Sequence, residues 1–147
     1  MKALKIWFPL VALIVFGCRK TEVKPVDILP EDLCAFCKMA ISDKMFAGEI
    51  VKEDGEAVKF DDLGCLRAYA RKEGGPKGMH LFFRSMEKDE WIKAEQAVLV
   101  KTPLIKTPMG SGLIAFEEKK NADAFTKQHG GQLVAFDEYL KGKSFHE

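Results

Sequence analysis

Apolar and polar positions change period several times along the chain, and each change marks an element. Phe46-Ala47-Gly48-Glu49-Ile50-Val51 reads as a strand. Asp54-Gly55 is a hairpin signal, and Ala57 to Phe60 is the returning strand. Asp61 or Asp62 then caps a helix that runs to about Lys72, with Leu63, Leu66 and Tyr69/Ala70 on one face. Gly74-Gly75-Pro76 ends it. Met79 to Met86 predicts a strand, Glu90 and Trp91 follow a turn, and Ala97 to Lys101 predicts another strand. A loop holding Pro103, Pro108 and Met109 precedes a strand over Gly112 to Phe116. The spacing of Ala122 and Phe125 predicts a helix over Glu117 to Gln128, stopped by Gly130-Gly131. Leu133 to Phe136 is a last strand, leading into a short helix over Asp137 to Leu140. Hairpins mixed with single helices imply an α+β fold of two small ββα-type halves, an order that invites comparison with an internal duplication.

The N-terminal pattern differs. Lys2 and Lys5 are followed by an apolar run from Ile6 to Phe16. A mature spanning helix needs about 20 apolar residues, so residues 1–17 read as a signal peptide. Val15-Phe16-Gly17-Cys18 resembles a bacterial lipobox, although Phe16 is bulkier than the usual occupant of its place. Cys18 is then the lipidated first residue of the mature chain, which implies a membrane attachment through acyl chains. Arg19 and Lys20 are not acidic, a pattern resembling lipoproteins sent on to the outer membrane of a Gram-negative cell. Residues 18–30, with Lys20, Lys24, Pro25 and Pro30, read as the lipidated end and a tether, leaving 31–147 as one domain in the cell envelope.

Composition narrows the function classes. The chain has 23 basic and 22 acidic residues, and cleavage after Gly17 removes two lysines, so the mature charge is close to neutral. Nucleic-acid binding, which shows as a basic excess, is not indicated. The full chain is 47% hydrophobic before the signal segment is removed, core enough for the domain to fold without a disulfide framework.

Four cysteines occur, and with Cys18 assigned to lipid, Cys34, Cys37 and Cys65 remain. An odd number in an exported chain points to a free thiol or a metal ligand. Cys34-Ala35-Phe36-Cys37-Lys38-Met39 places two thiols and a thioether within six residues. Soft sulfur ligands select soft metals, Cu(I) above all, and a thioether sets the pattern apart from zinc. Met109, between Pro108 and Gly110 in a loop, is a second candidate thioether ligand. Met45, Met79 and Met86 lie on strand-like apolar patterns and read as core. Cys65, at the edge of the first helix's apolar face, reads as a buried inert thiol first and an auxiliary ligand second. Asp61 and Asp62 read as helix caps first and as groups supporting the metal ligands second. Among His80, His129 and His146, which share no metal spacing, His80 is the best auxiliary ligand. A Cys34–Cys37 disulfide, half a zinc site and a redox pair remain open from the Cys-x-x-Cys spacing alone.

Several of these pieces occur in one order: the cysteine motif, Ala47-Gly48-Glu49-Ile50, Lys59-Phe60-Asp61-Asp62-Leu63-Gly64, Thr107-Pro108-Met109-Gly110-Ser111-Gly112, and Gly130-Gly131 before Phe136-Asp137-Glu138. The set resembles the NosL family, lipoprotein accessory factors of nitrous oxide reductase, over most of residues 31–141. The resemblance implies a non-enzymatic carrier of monovalent copper; whether a homodimer forms around the metal is left open by the sequence. It implies as partner nitrous oxide reductase or its maturation complex, whose copper–sulfide centre is supplied. It also implies a split α+β fold similar to that of the organomercurial lyase MerB. The family usually has Gly between the second Cys and the Met, where this chain has Lys38. The rival readings are an exported thiol–disulfide or MerB-like thiol enzyme, and a structural lipoprotein with a Cys34–Cys37 disulfide.

Overall fold

The structure, a computed structural model, describes residues 22–142. The signal peptide, Cys18 and His146 lie outside the described residues. Among the described residues seven strands form two antiparallel sheets, accompanied by three α-helices. In chain order they are β1 Gly48–Lys52, β2 Ala57–Phe60, α1 Leu63–Lys72, β3 Met79–Arg84, β4 Trp91–Lys93, β5 Val98–Lys101, β6 Leu113–Phe116, α2 Lys119–His129, β7 Gln132–Val134 and α3 Phe136–Lys141.

The first sheet has the order β2-β1-β3-β4 and the second β6-β5-β7. In both, the first strand of the half sits in the middle, its hairpin partner on one side and the strand after the helix on the other. The two halves thus share one ββαβ topology, and β4 extends the first. The sheets meet at a bridge between Ser85 and Ala115, where Met86 N–H donates to the Ala115 carbonyl.

Alternation explains what each face covers. Ile50, Val58, Phe60, Leu81 and Phe83 are buried with Leu63 and Leu66 of α1 in the main core. Leu99, Leu113 and Ala115 of the second sheet enter the same core, while Val100, Ile114 and Phe116 point the other way and pack with Ala122 and Phe125 of α2. Tyr139 of α3 locks the assembly: its hydroxyl donates to the Leu63 carbonyl at 2.7 Å and its ring packs edge-on against Phe83.

Two sequence expectations are corrected here. Residues 22–30 include more than a tether. Ile28 is buried in the main core, Val26 N–H donates to Glu49 Oε1 at 2.8 Å, and Lys59 donates to the Asp27 carbonyl. Glu49 and Lys59 are cross-strand neighbours, so this segment lies over the side of the first sheet away from α1. The packed body therefore begins before residue 31. Met45, expected in the core, is exposed, because Lys44–Phe46 form a short 3-10 turn instead of the start of β1.

Candidate metal site

The cysteine motif forms a tight hairpin ahead of β1. Leu33 and Ala40 are bridged, Cys34 N–H donates to the Met39 carbonyl at 2.8 Å, and Lys38 N–H donates back to the Cys34 carbonyl at 2.9 Å. Closing the turn puts Lys38 at φ 68°, the left-handed region that glycine occupies without strain. Its ammonium donates to the Ala35 carbonyl at 2.7 Å. Ala35 N–H donates to the Lys59 carbonyl, which fastens the hairpin beside the end of β2.

Asp61 follows that strand directly, and Cys65 stands in the first turn of α1. The ligand atoms of Cys34, Cys37, Asp61 and Cys65 all lie within 4.8 Å of one another. Cys34, Asp61 and Cys65 are almost completely buried, and Cys37 is half-buried on the accessible side. The three thiols are free. Cys37 Sγ donates to Asp61 Oδ2 at 3.4 Å, and the buried Asp61 Oδ1 has no hydrogen-bond partner among the described residues. A buried carboxylate oxygen left unpaired is costly, and a cation is one group that would satisfy it.

The thiols do not titrate alike. The Cys65 thiol donates to Cys34, and with the neighbouring Asp61 and Cys37 amides it overcomes burial, bringing Cys34 down to about 6. The hydrogen bond from Cys65 thus favours the thiolate of Cys34, the form that binds metal. Burial pushes Cys37 up to about 11, helped by the neighbouring Cys34 and Asp61. Cys65 is also pushed up, first by the hydrogen bond it gives to Cys34.

This geometry changes the sequence reading at two residues. Cys65 is buried as expected, but its sulfur belongs to the cluster rather than to an inert apolar face. Asp61 is not the helix cap. Asp62 is, accepting from Gly64 N–H at 2.6 Å, and this leaves Asp61 facing the sulfurs. The signal available in the sequence was the odd third cysteine, four residues after Asp61 at a strand-to-helix junction. Met39 leaves the turn with its side chain about half exposed. Met109 N–H donates to Asp62 Oδ2 at 3.0 Å, and the side chain packs against the core that holds Cys34 and Cys65. Met109 also lines an open cleft of about 880 Å³ with Lys101, Lys106 and Gln132. His80 is exposed on β3 and His129 is exposed on α2 against Phe125, and neither joins the cluster. Among the described residues no helix is long and apolar enough to cross a membrane.

The sequence profile of the NosL family matches residues 25–142. A curated relative, the copper-binding lipoprotein NosL of Stutzerimonas stutzeri, is 27% identical over 143 residues, spanning 88% of this chain and 75% of the relative. The crystal structure of the copper chaperone NosL from Shewanella denitrificans superposes with a TM-score of 0.71 at 23% identity, covering 80% of this chain and 96% of that one. At that identity the superposition establishes the α+β fold.

Proposed function

The chain belongs to the NosL family, and from that premise we propose that it is an envelope lipoprotein that carries Cu(I) on the cluster of Cys34, Cys37, Cys65 and Asp61. The observation that supports this most directly is the convergence of three thiols and a carboxylate from three separate segments. Three sulfurs favour a soft ion, and within the first-row divalent series thiolate sites also hold zinc. The copper-binding names of both relatives favour copper.

Carriage rather than turnover suits the site. Cu(I) is stable with two or three soft ligands, so the ion need not engage all four groups together. Cys37 is the most accessible of them, and an incoming thiolate or thioether would meet the ion on that side. Stepwise exchange of one sulfur for another then moves the ion without a redox step. The recipient proposed is nitrous oxide reductase or its maturation complex, during assembly of the copper–sulfide centre. Cys18 is the proposed lipid anchor.

The test is an anaerobic Cu(I) titration of the reduced chain against a chromophoric competitor. The expected result is tight binding of one ion per chain. Cys34→Ser/Cys37→Ser should abolish it, and Cys65→Ser should weaken it at least about tenfold. Retained affinity in Cys65→Ser would remove that residue from the site. Tight Zn(II) binding with weak Cu(I) binding would overturn the copper reading.

A further inference from the structure

We propose that Asp62 is a positioning residue that holds Met109 in place to complete the copper site, a role distinct from that of its neighbour Asp61. The proposal rests on the copper reading above and adds to it a coupling between the two halves of the molecule.

Asp61 and Asp62 are consecutive, buried, and differently employed. Asp61 faces the sulfurs. Asp62 Oδ1 caps α1 through Gly64 N–H. Asp62 Oδ2 reaches the other half of the chain, where it accepts from Thr107 Oγ1 at 2.6 Å and from Met109 N–H at 3.0 Å. Thr107 Oγ1 in turn accepts from Gly112 N–H at 3.1 Å and lies 3.3 Å from Ser111 Oγ. Gly110 N–H closes a turn onto the Thr107 carbonyl at 2.9 Å. The Met109 backbone is thus fixed on both sides by bonds that converge on a single carboxylate oxygen.

This arrangement exceeds what a helix cap needs. A cap requires one acceptor at the first turn, and Oδ1 supplies it. The second oxygen joins the strand-to-helix junction that carries Asp61 and Cys65 to the loop that carries Met109. Both bonds to this oxygen are buried or partly buried, where hydrogen bonds are well shielded from water. Met109 has its amide bound to Asp62 and its side chain against the core that contains Cys34 and Cys65. A thioether held there would meet a metal without first ordering its loop. The same loop borders the open cleft, and Met109 is one of the residues that line it.

Asp62→Asn separates the two jobs. Its side-chain oxygen still caps α1, since Asn and Asp are equivalent caps. Its amide nitrogen takes the place of Oδ2 and cannot accept from Thr107 or Met109. Cu(I) affinity is measured by competitor titration on the full chain for wild type, Asp62→Asn, Met109→Leu and the double variant, with copper-edge X-ray absorption counting sulfur ligands. Each single change should lower the affinity about tenfold and remove one sulfur from the copper shell. The double variant should be no weaker than Met109→Leu alone. Effects that multiply to about a hundredfold, or a full sulfur count in Asp62→Asn, would overturn the proposal. So would unchanged affinity in either single variant. Failure of wild type to bind Cu(I) would instead be the failure of the copper reading itself. Thr107→Val, which removes one donor to Asp62 and keeps the Met109 bond, guards against misfolding of Asp62→Asn. It should preserve the sulfur count, and loss of a sulfur there would place the anchoring in Thr107 and overturn the role of Asp62.

Discussion

At Lys38 one backbone angle gives a reason for the glycine that the family resemblance implies at this position. The hairpin that brings Cys34 and Cys37 together closes through φ 68°. A residue with a Cβ is strained there by roughly 1–2 kcal/mol, while glycine is not but gives up more freedom on folding. Lys38 recovers part of the difference through its bond to the Ala35 carbonyl. Lys38→Gly is therefore expected to stabilise the fold slightly. Lys38→Val, whose branched side chain suits this region least, should destabilise it, with about 2 kcal/mol between the two variants. Denaturant midpoints at constant m-value measure this, and Val at or above Gly would contradict it. The Cys-x-x-Cys-x-Met spacing marked a sulfur-rich segment and did not by itself show the hairpin. The left-handed backbone at residue 38 could not be read from lysine, which carries no such signal; the only hint was the glycine that the resemblance implies there.

Among the elements, the loop between β5 and β6 shows how one conformation has two different consequences. Gly110 and Gly112 have nearly equal positive φ, 71° and 63°. A Cβ on Gly110 would stand in open space, whereas one on Gly112 would lie 2.2 Å from the Thr102 carbonyl oxygen. Gly110→Ala should cost about 1 kcal/mol from backbone strain alone. Gly112→Ala adds a collision with fixed backbone and should cost roughly 1–3 kcal/mol more. Thermal unfolding of the two variants gives the difference, and equal losses would mean that β5 and β6 separate freely at this point. Element existence followed from periodicity almost throughout, since the α1 and α2 faces and the β1–β2 hairpin carry strong patterns. β4 did not, because Trp91–Lys93 is three residues long and is made a strand by pairing with β3.

For the whole molecule, the N-terminal segment couples stability to pH. Glu49 is fully buried under residues 26–28, with Oε1 accepting from Val26 N–H and Oε2 without a partner among the described residues. Burial raises its pKa from 4.5 to about 7, against the lowering effect of the Val26 bond and of Lys59, with Asp32 and Asp27 adding to the rise. A carboxyl whose folded pKa lies above its unfolded value contributes stability that is complete below pH 4.5 and is lost as pH rises through 7. The size is roughly 3 kcal/mol at most. The free energy of unfolding should thus fall between pH 5 and 7, and Glu49→Gln should flatten that part of the curve. An unchanged slope in Glu49→Gln would assign it to other groups.

The amino-acid order alone determined the element sequence apart from β4, the α+β class, the family resemblance and the sulfur-rich character of the site. Each of these depends on residues near one another in the chain, where periodicity and spacing carry the information. The fourfold cluster was decided only by the tertiary structure. Cys34 and Cys37 come from one hairpin, Asp61 from the end of β2 and Cys65 from α1, and a bond from Ala35 to Lys59 brings them together. The choice between two adjacent aspartates was settled in the same way. Either could cap a helix by sequence, and the helix start at Leu63 assigned the cap to Asp62 and turned Asp61 to the sulfurs. Contacts between distant segments arise from packing whole elements, and packing is a property of the assembled core rather than of any short stretch of chain.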